Sequence, residues 1–174
     1  MRILNIGCGK DFSIGTDFAD LYPARDDVKQ CDMNKDKLPY EDSMFDEVYS
    51  QGMFEHLVNH ENFMSEAFRV LKKGGKLTLR TDNASYFPFH IRLGIAYDHS
   101  YPSGYGEDDN HYVLFTKTHL LNWAKKFGFA KSQVYYSDVP HKGDSFIRSL
   151  ARSASKVILP QRFTALHVVL EAVK

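Results

Sequence analysis

The sequence opens with Ile3-Leu4-Asn5-Ile6-Gly7-Cys8-Gly9, a short apolar run that breaks at once into a Gly-x-Gly turn. The run predicts a buried strand that begins almost at the first residue. Glycines at such a turn can adopt positive φ and, because they lack a Cβ, let a ligand lie against the backbone. Open α/β sheets build nucleotide sites at the carboxyl end of a strand in this way. Gly-x-Gly alone is also typical of an ordinary turn, so the choice between a nucleotide site and a plain turn depends on the rest of the chain.

Composition narrows the classes of function. At 174 residues, with 43% hydrophobic and 25% charged residues, the chain is expected to form one globular domain. Lys+Arg and Asp+Glu balance at 22 each, so no basic field favours nucleic acid as a partner. No signal peptide is recognised before the first strand, and no apolar run approaches the ~20 residues of a membrane span, which predicts a cytoplasmic protein. Cys8 and Cys31 have no CxxC partner, which disfavours a zinc site built on cysteine.

Acids recur at the predicted ends of the next strands. Ser13–Phe18 predicts a second strand with Asp17 at its end, and residues 26–32 predict a third that ends in Asp32. The carboxyl ends of neighbouring parallel strands lie side by side, so the glycine turn and both carboxylates would face one crevice. One carboxylate can accept from the ribose hydroxyls and the other from the adenine amine, which predicts a nucleoside pocket. The alternative for each acid alone is a solvated loop carboxylate.

The rest of the chain predicts an α/β sheet, with one conflict near its start. Strands one and two lie too close together for a helical crossover, so either a helix is missing or the second segment is barely a strand. Residues 84–115 hold no period and are rich in Tyr and Phe, which is typical of a functional loop such as a lid. The remaining predicted elements are a strand at Phe45–Ser50, a helix that Asn59 caps and Gly74-Gly75 ends, a strand at Lys76–Thr81, a helix that Thr118 caps and Gly128 ends, a strand at Gln133–Ser137, an amphipathic stretch at Phe146–Ile158 and a strand at Phe163–Val173.

Five motifs follow one another along the chain: Leu4-Asn5-Ile6-Gly7-Cys8-Gly9, Cys31-Asp32-Met33-Asn34, the segment from Leu38 to Tyr49, Phe54-Glu55-His56-Leu57 and the segment from Arg69 to Leu77. This series resembles the motifs of class I S-adenosylmethionine-dependent methyltransferases, most closely the short type 11-like group. The resemblance implies a Rossmann-like sheet of seven strands, with a shortened N-terminal half that lacks the first helix and with an antiparallel C-terminal strand. It also implies a single domain over 1–174, divided into a cofactor-binding half at 1–83, a substrate lid at 84–116 and a C-terminal part at 117–174.

The same resemblance implies S-adenosylmethionine as the cofactor and a role for each site residue. Asn5, Gly7, Cys8 and Gly9 would line its amino-acid end. Asp17 would hold the ribose, and Asp32 with Met33 the adenine. Ser50 and Gln51 would meet the methionine moiety after the fourth strand.

The acceptor has to be inferred from the groups around this pocket. We expect methyl transfer to a small molecule or glycan, at oxygen, with His111 or His56 as the general base. No metal site is expected, because Asp82-Asn83 lacks a matching acid after the fourth strand. The site would be closed by the lid or by a second subunit in a homodimer. The alternatives are a non-catalytic cofactor-binding scaffold or partner subunit, and an RNA methyltransferase.

Overall fold

The computed structural model describes residues 1–86, 111–137 and 159–174. In these ranges the chain forms one sheet of seven strands with helices packed against it. The elements are β1 (Ile3–Ile6), β2 (Asp17–Asp20), β3 (Val28–Gln30), β4 (Phe45–Gln51), a 3₁₀ turn (Phe54–His56), α1 (His60–Val70), β5 (Leu71–Asp82), α2 (Lys117–Lys126), β6 (Lys131–Ser137), α3 (Gln161–Thr164) and β7 (His167–Val173).

The strand order in the sheet is β3-β2-β1-β4-β5-β7-β6. β1 to β5 pair in parallel, whereas β7 runs antiparallel to both of its neighbours, β5 and β6. The predicted α/β fold, with its antiparallel C-terminal strand, is confirmed. The order reverses at β1 and β4, so their carboxyl ends flank the point at which an open α/β sheet binds its ligand.

The conflict near the start of the chain is resolved by the true position of β2. The predicted strand at Ser13–Phe18 is wrong by several residues, because β2 runs from Asp17 to Asp20. Residues 7–16 therefore connect two parallel strands without a helix, as the shortened N-terminal half implied. The connection is held to β1 by Thr16 N donating to Ile3 O at 2.8 Å and by the Asn5 side chain donating to Ile14 O at 3.0 Å.

The predicted cap of α1 is confirmed and its predicted end is not. The Asn59 side chain accepts from Asn62 N, which satisfies one of the orphan amides of the first turn. The helix ends at Val70 because Leu71 is already extended, with φ −70° and ψ 137°. β5 thus begins five positions earlier than the Lys76–Thr81 prediction, and Gly74 bends it at φ +80° instead of ending a helix.

Arg69 ties the turn before β4 to helix α1. It donates to both carboxylate oxygens of Glu66 at 2.7 and 2.8 Å, to the backbone oxygens of Leu38 and Tyr40, and to Asp42 Oδ1. The hydrogen bonds to Glu66 raise the pKa of Arg69 above its ordinary value. The Arg69-to-Leu77 motif thus fixes the segment that precedes the site.

The N-cap of helix α2 lies two residues before the predicted one. Thr116, not Thr118, is the N-cap, and it forms a reciprocal capping box with His119. The buried face of α2 joins that of α1 in one core over the sheet. The shared core residues include Phe63, Ala67, Leu77, Leu79, Phe115, Leu120 and Leu170.

Two predicted segments lie wholly or mostly outside the described residues. The amphipathic stretch at 146–158 is one, and the lid at 84–116 is described only at its two ends. The predicted strand at Phe163–Val173 is corrected, because Gln161–Thr164 form α3 and the strand starts at His167. None of the helices in the described ranges combines the length and apolar character needed to span a bilayer.

Candidate active site

The glycine turn after β1 has a backbone that other residues would not adopt without strain. Gly7 has φ +72° and Gly9 φ +53°. A Cβ on Gly7 would lie 2.5 Å from Met53 Cγ, well inside van der Waals contact. The turn therefore needs glycine at Gly7 for two reasons, conformation and space. Both glycines line a cavity at the carboxyl edge of the sheet.

Asp20 is the carboxylate at the end of β2 and lines the same cavity. Its Oδ2 accepts from Gly9 N at 2.8 Å, and its Oδ1 accepts from Tyr22 N at 2.9 Å. Each carboxylate oxygen has a second acceptor direction, so the pair can still receive two hydroxyl donors. The sequence prediction missed Asp20 because it ended the strand too early. The apolar pair Phe18-Ala19, followed by an acid and then by Pro23, is the signal that marked the true end.

The structure does not bring Asp17 to the site. It stands at the amino end of β2, where both carboxylate oxygens accept from the Arg2 guanidinium, at 2.6 and 2.9 Å. These hydrogen bonds hold the pKa of Asp17 below its usual range. The amino and carboxyl ends of a strand lie at opposite ends of the sheet. Because the acid was placed three residues too early, the predicted ribose ligand lies at the amino end, away from the cavity.

The segment after β3 lies where the sequence predicted. Asp32, Met33 and Asn34 all line the cavity. Asp32 is partly buried, accepts from Asn34 N at 2.9 Å and lies 3.3 Å from Lys35 Nζ. Asn34 Oδ1 accepts from Val58 N at 2.8 Å, so this wall is fastened to the segment that follows β4.

The segment after β4 contributes different residues from those predicted. Gly52, Met53 and His56 line the cavity, whereas Ser50 and Gln51 do not. Ser50 is fully buried, and its Oγ has no hydrogen-bond partner among the described residues. Gln51 is exposed and accepts from the Tyr49 hydroxyl at 2.6 Å. These contacts do not bring Ser50 or Gln51 to the cavity.

Asn5 and Cys8 are buried beside the turn and do not line the cavity. The Asn5 side-chain amide donates a hydrogen bond to Ile14 O, as described above. Cys8 packs with Phe18 and Val28, and burial raises the pKa of its thiol to about 11. A thiol of that pKa stays protonated at neutral pH, so Cys8 is no nucleophile there. Both residues act on the site through the shape of the glycine turn.

The cavity has the size and lining of a nucleoside site. Its volume is about 480 Å³, within the range of ligand pockets in general. One wall is glycine backbone, two carboxylates stand at adjacent strand ends, and apolar side chains fill the rest. Among the apolar side chains, Leu21, Tyr22 and Val58 are exposed at its rim. These features fit a ligand with a ribose and an adenine ring.

A cluster of titratable groups adjoins the cavity. The rings of His56 and His111 are 4.3 Å apart in an edge-to-face arrangement. His111 Nδ1 lies 3.1 Å from Asp82 Oδ2, and His167 Nε2 lies 3.7 Å from Asp82 Oδ1. Arg80 donates to His167 Nδ1 at 2.8 Å, which leaves the Nε2 of that ring as its protonated nitrogen. The structure thus brings together the two histidines that the sequence singled out and orients one of them with a carboxylate.

Glu55, which is not among the predicted site residues, neighbours these histidines. It is 2% exposed, and its Oε2 accepts from the Thr81 hydroxyl at 2.7 Å. Burial and the neighbouring charge of Asp82 raise the pKa of Glu55. Its backbone oxygen accepts from Tyr112 N at 2.9 Å, which fastens the far end of the lid to the 3₁₀ turn.

Part of the chain is similar to known methyltransferases. A profile of the family described as "Methyltransferase domain" matches residues 16–79. The protein described as a probable S-adenosylmethionine-dependent methyltransferase of Mycolicibacterium smegmatis is 30% identical over 118 residues. Over these residues the chain is similar to S-adenosylmethionine-dependent methyltransferases. The match takes in 52% of this chain and 45% of that relative, so the chain spans less than half the length of the curated protein it matches.

Solved structures of class I methyltransferases share the fold. One from Archaeoglobus fulgidus, described as a SAM-dependent methyltransferase, superposes with a TM-score of 0.65 at 16% identity, covering 99% of this chain and 86% of that one. Phosphoethanolamine N-methyltransferase 2 of Haemonchus contortus, solved with S-adenosyl-L-methionine, gives a TM-score of 0.62 at 17% identity, covering 100% of this chain and 48% of that one. The descriptions of these proteins name S-adenosylmethionine, the cofactor that the sequence motifs of this chain imply.

Proposed function

We propose that the protein transfers the methyl group of S-adenosylmethionine to a small molecule or glycan, at oxygen. The observation that carries the proposal is the cavity where the glycine turn, Asp20 and Asp32 meet at the switch point of the sheet. The similarity of residues 16–79 to a methyltransferase domain, and of the chain to a probable S-adenosylmethionine-dependent methyltransferase, supports the cofactor.

Each wall of the cavity has a distinct task in holding the cofactor. Gly7 and Gly9 let its body lie against backbone. Asp20 accepts from the ribose hydroxyls, in place of Asp17. Asp32 accepts from the adenine amine, with Met33 against the ring. Asn5 and Cys8 hold the glycine turn in shape from beneath, as their buried contacts support.

The chain's own residues then have to bind and orient the acceptor. S-adenosylmethionine supplies a methyl group that is already activated on a sulfonium. A hydroxyl acceptor has to be held in line and relieved of its proton. His56 lines the cavity and His111 adjoins it, so either imidazole is placed to take that proton. Asp82, on His111 Nδ1, orients the ring so that Nε2 is its basic nitrogen.

The acceptor class follows from charge and lining. Lys+Arg and Asp+Glu balance at 22 each, which gives no support to RNA as the acceptor. Tyr112 and the exposed rim of Leu21, Tyr22 and Val58 give the mouth an apolar and aromatic surface that suits a sugar ring or an aromatic metabolite. A cytoplasmic location is proposed with this function, since both cysteines are free and buried.

Calorimetric titration with S-adenosylmethionine and S-adenosylhomocysteine tests the cofactor site. Both ligands are expected to bind, and Asp32→Ala should weaken binding by at least tenfold. Asp26→Ala is the matched control, because Asp26 is exposed and does not line the cavity. Failure of the unmodified protein to bind either ligand would refute the enzyme. Equal affinity of Asp32→Ala and Asp26→Ala would remove the adenine assignment alone.

A screen with a labelled methyl group then tests the acceptor. Hydroxylated aromatics, saccharides and a structured RNA are offered in parallel, and label is expected in one of the first two. Label only in RNA would overturn the acceptor class. Tight cofactor binding with no transfer to any class would favour the non-catalytic scaffold. Gel filtration of the same sample reports whether a second subunit is present.

A further inference from the structure

Three potential metal ligands meet beside the cofactor cavity. Glu55 and His56 come from the 3₁₀ turn after β4, and His111 comes from the far end of the lid segment. The hydrogen bond from Tyr112 N to Glu55 O brings the two segments together at 2.9 Å. One donor atom from each of the three side chains lies within 4.8 Å of the others. We propose that Glu55, His56 and His111 form a site for a divalent ion of the zinc type.

The donor set determines the class of ion. Two imidazoles and one carboxylate are the ligands of catalytic zinc sites, which leave a further position open. Imidazole suits zinc, cobalt and iron, whereas magnesium prefers oxygen ligands and retains its waters. The cluster therefore favours a first-row transition ion over magnesium.

Two of the ligands already have the partners that metal ligands have. A ligating histidine commonly gives its other ring N–H to a carboxylate, and His111 Nδ1 lies 3.1 Å from Asp82 Oδ2. Nε2 is then the nitrogen with the lone pair. Glu55 Oε2 accepts from the Thr81 hydroxyl at 2.7 Å, which fixes the plane of that carboxylate. Both partners come from the end of β5, a rigid element in the centre of the sheet.

Charge supports the same conclusion. Glu55 is 2% and Asp82 7% exposed, so two carboxylates are buried next to each other. Burial and mutual repulsion disfavour two negative charges in one place. The Arg80 guanidinium, hydrogen-bonded to His167, offsets part of that charge. A divalent ion on Glu55 would offset the rest.

Little movement is needed for coordination. Metal bonds of about 2.0–2.2 Å in a tetrahedral site require donor atoms roughly 3.3–3.5 Å apart. The present upper limit of 4.8 Å exceeds that by little more than 1 Å. Rotation of the His56 ring about its terminal χ angle reduces such a gap without moving the backbone or the Glu55 carboxylate, because terminal sp³–sp² torsions are broad.

The ion would change the part that the two imidazoles play. In the metal-free protein they can accept a proton, whereas in the metal-bound protein they hold the ion. An ion with an open position next to the cavity can bind the acceptor's oxygen and lower its pKa, so that the proton leaves to water. This last step rests on the proposed methyl transfer. The metal site itself rests only on the residues named here.

Metal binding is measured on tag-free, chelator-treated protein without cofactor. Titration with Co²⁺ should give visible d–d absorption that saturates at one ion per chain and is displaced by Zn²⁺. His111→Gln and His56→Gln should each weaken Co²⁺ binding by at least tenfold. His119→Gln, an exposed histidine on α2, is the matched control and should bind as the unmodified protein does.

Several results would overturn the site. They are no saturable Co²⁺ or Zn²⁺ binding by the unmodified protein, saturation by Mg²⁺ alone, a strong thiolate-to-cobalt band, or unchanged affinity in His111→Gln and His56→Gln. Because the unmodified protein is tested first, a variant that fails to fold does not decide the outcome. Calorimetry with S-adenosylhomocysteine on the same sample separates the two proposals, since the metal site can fail while the cofactor binds, and the reverse.

Discussion

Replacement of Asp20 or Asp17, the two acids of β2, by asparagine tests which end of the strand binds the ribose of the cofactor. Asp20 is buried at the cavity edge, and Asp17 is bound to Arg2 at the opposite edge. A hydrogen bond to a charged acceptor contributes about 1.5–3 kcal/mol. Asp20→Asn keeps one acceptor oxygen but turns an N–H donor toward Gly9 N or Tyr22 N. We therefore expect it to lose roughly one such bond with the ribose, about 2–3 kcal/mol in all, or roughly a 30- to 150-fold weaker affinity.

Asp17→Asn makes the same chemical change without touching the cavity. Its affinity for S-adenosylhomocysteine should stay within about twofold of that of the unmodified protein, although the ion pair with Arg2 is lost. Isothermal titration calorimetry at neutral pH measures both variants, and circular dichroism confirms that each is folded at the temperature of the titration. The assignment of the ribose to Asp20 is refuted if Asp17→Asn loses more affinity than Asp20→Asn, or if Asp20→Asn binds normally.

Three further changes test the contacts that hold the site in place. Arg69→Met should lower the free energy of unfolding by about 3–5 kcal/mol, because it leaves a buried carboxylate unpaired; urea denaturation should show less than about 1 kcal/mol for the exposed control Arg162→Met. The partly exposed ion pair of Asp17 should contribute about 1 kcal/mol at neutral pH. Since its arginine partner lowers the pKa of Asp17, that contribution should vanish as the pH falls through the folded-state pKa, and a stability difference from Asp17→Asn that persists at pH 2 would contradict it. Gly7→Ala should lower the free energy of unfolding by about 1–3 kcal/mol more than Gly74→Ala in the same denaturation assay. Both glycines have positive φ, but only the Cβ added at Gly7 meets a side chain. Equal losses in the two variants would show that the turn accommodates a side chain.

The sequence was sufficient for the fold wherever one local rule was decisive. The Asn59 cap predicted the start of α1, and the apolar run before Gly7 predicted β1. Asp32 and Met33 line the cavity after β3, and their assignment to the adenine stays a prediction. The spacing between the first two strands was too short for a helical crossover and left two interpretations open. The resemblance to the family motifs implied that the first helix is missing.

The errors arose where two rules competed. Ile14 and Phe18 both lie in an apolar segment, and alternation alone does not show which part of that segment pairs with β1. The register that buries Phe18, Ala19 and Asp20 prevails, so Asp20, and not Asp17, stands at the carboxyl end of β2. When the bounds of a strand shift along the chain, a residue predicted at its carboxyl end can lie at its amino end instead. Site residues at strand ends are thus more sensitive to boundary errors than the fold is.

The cluster around Glu55 was outside the reach of local rules. Its members are Glu55, Thr81, Asp82, His111 and His167, which come from four separate parts of the sequence. Only the parallel pairing of β4 with β5, the antiparallel pairing of β5 with β7 and the backbone contact of Tyr112 bring them together. Long-range pairing of this kind leaves no periodic signal in the sequence.

The helix-free connection at residues 7–16 has a consequence for how the protein folds. Leu4 pairs with Asp17, so the first parallel contact closes a loop far shorter than a strand-helix-strand unit requires. Each halving of loop length lowers the entropic cost of closure by about 0.6 kcal/mol, and local contacts form early. Gly9 N and Asp20, joined across this loop, therefore belong to a segment that can assemble before α1 docks. We expect the glycine-turn end of the sheet to be among the first parts of the chain to acquire native structure, and the Tyr112–Glu55 backbone contact to form only afterwards.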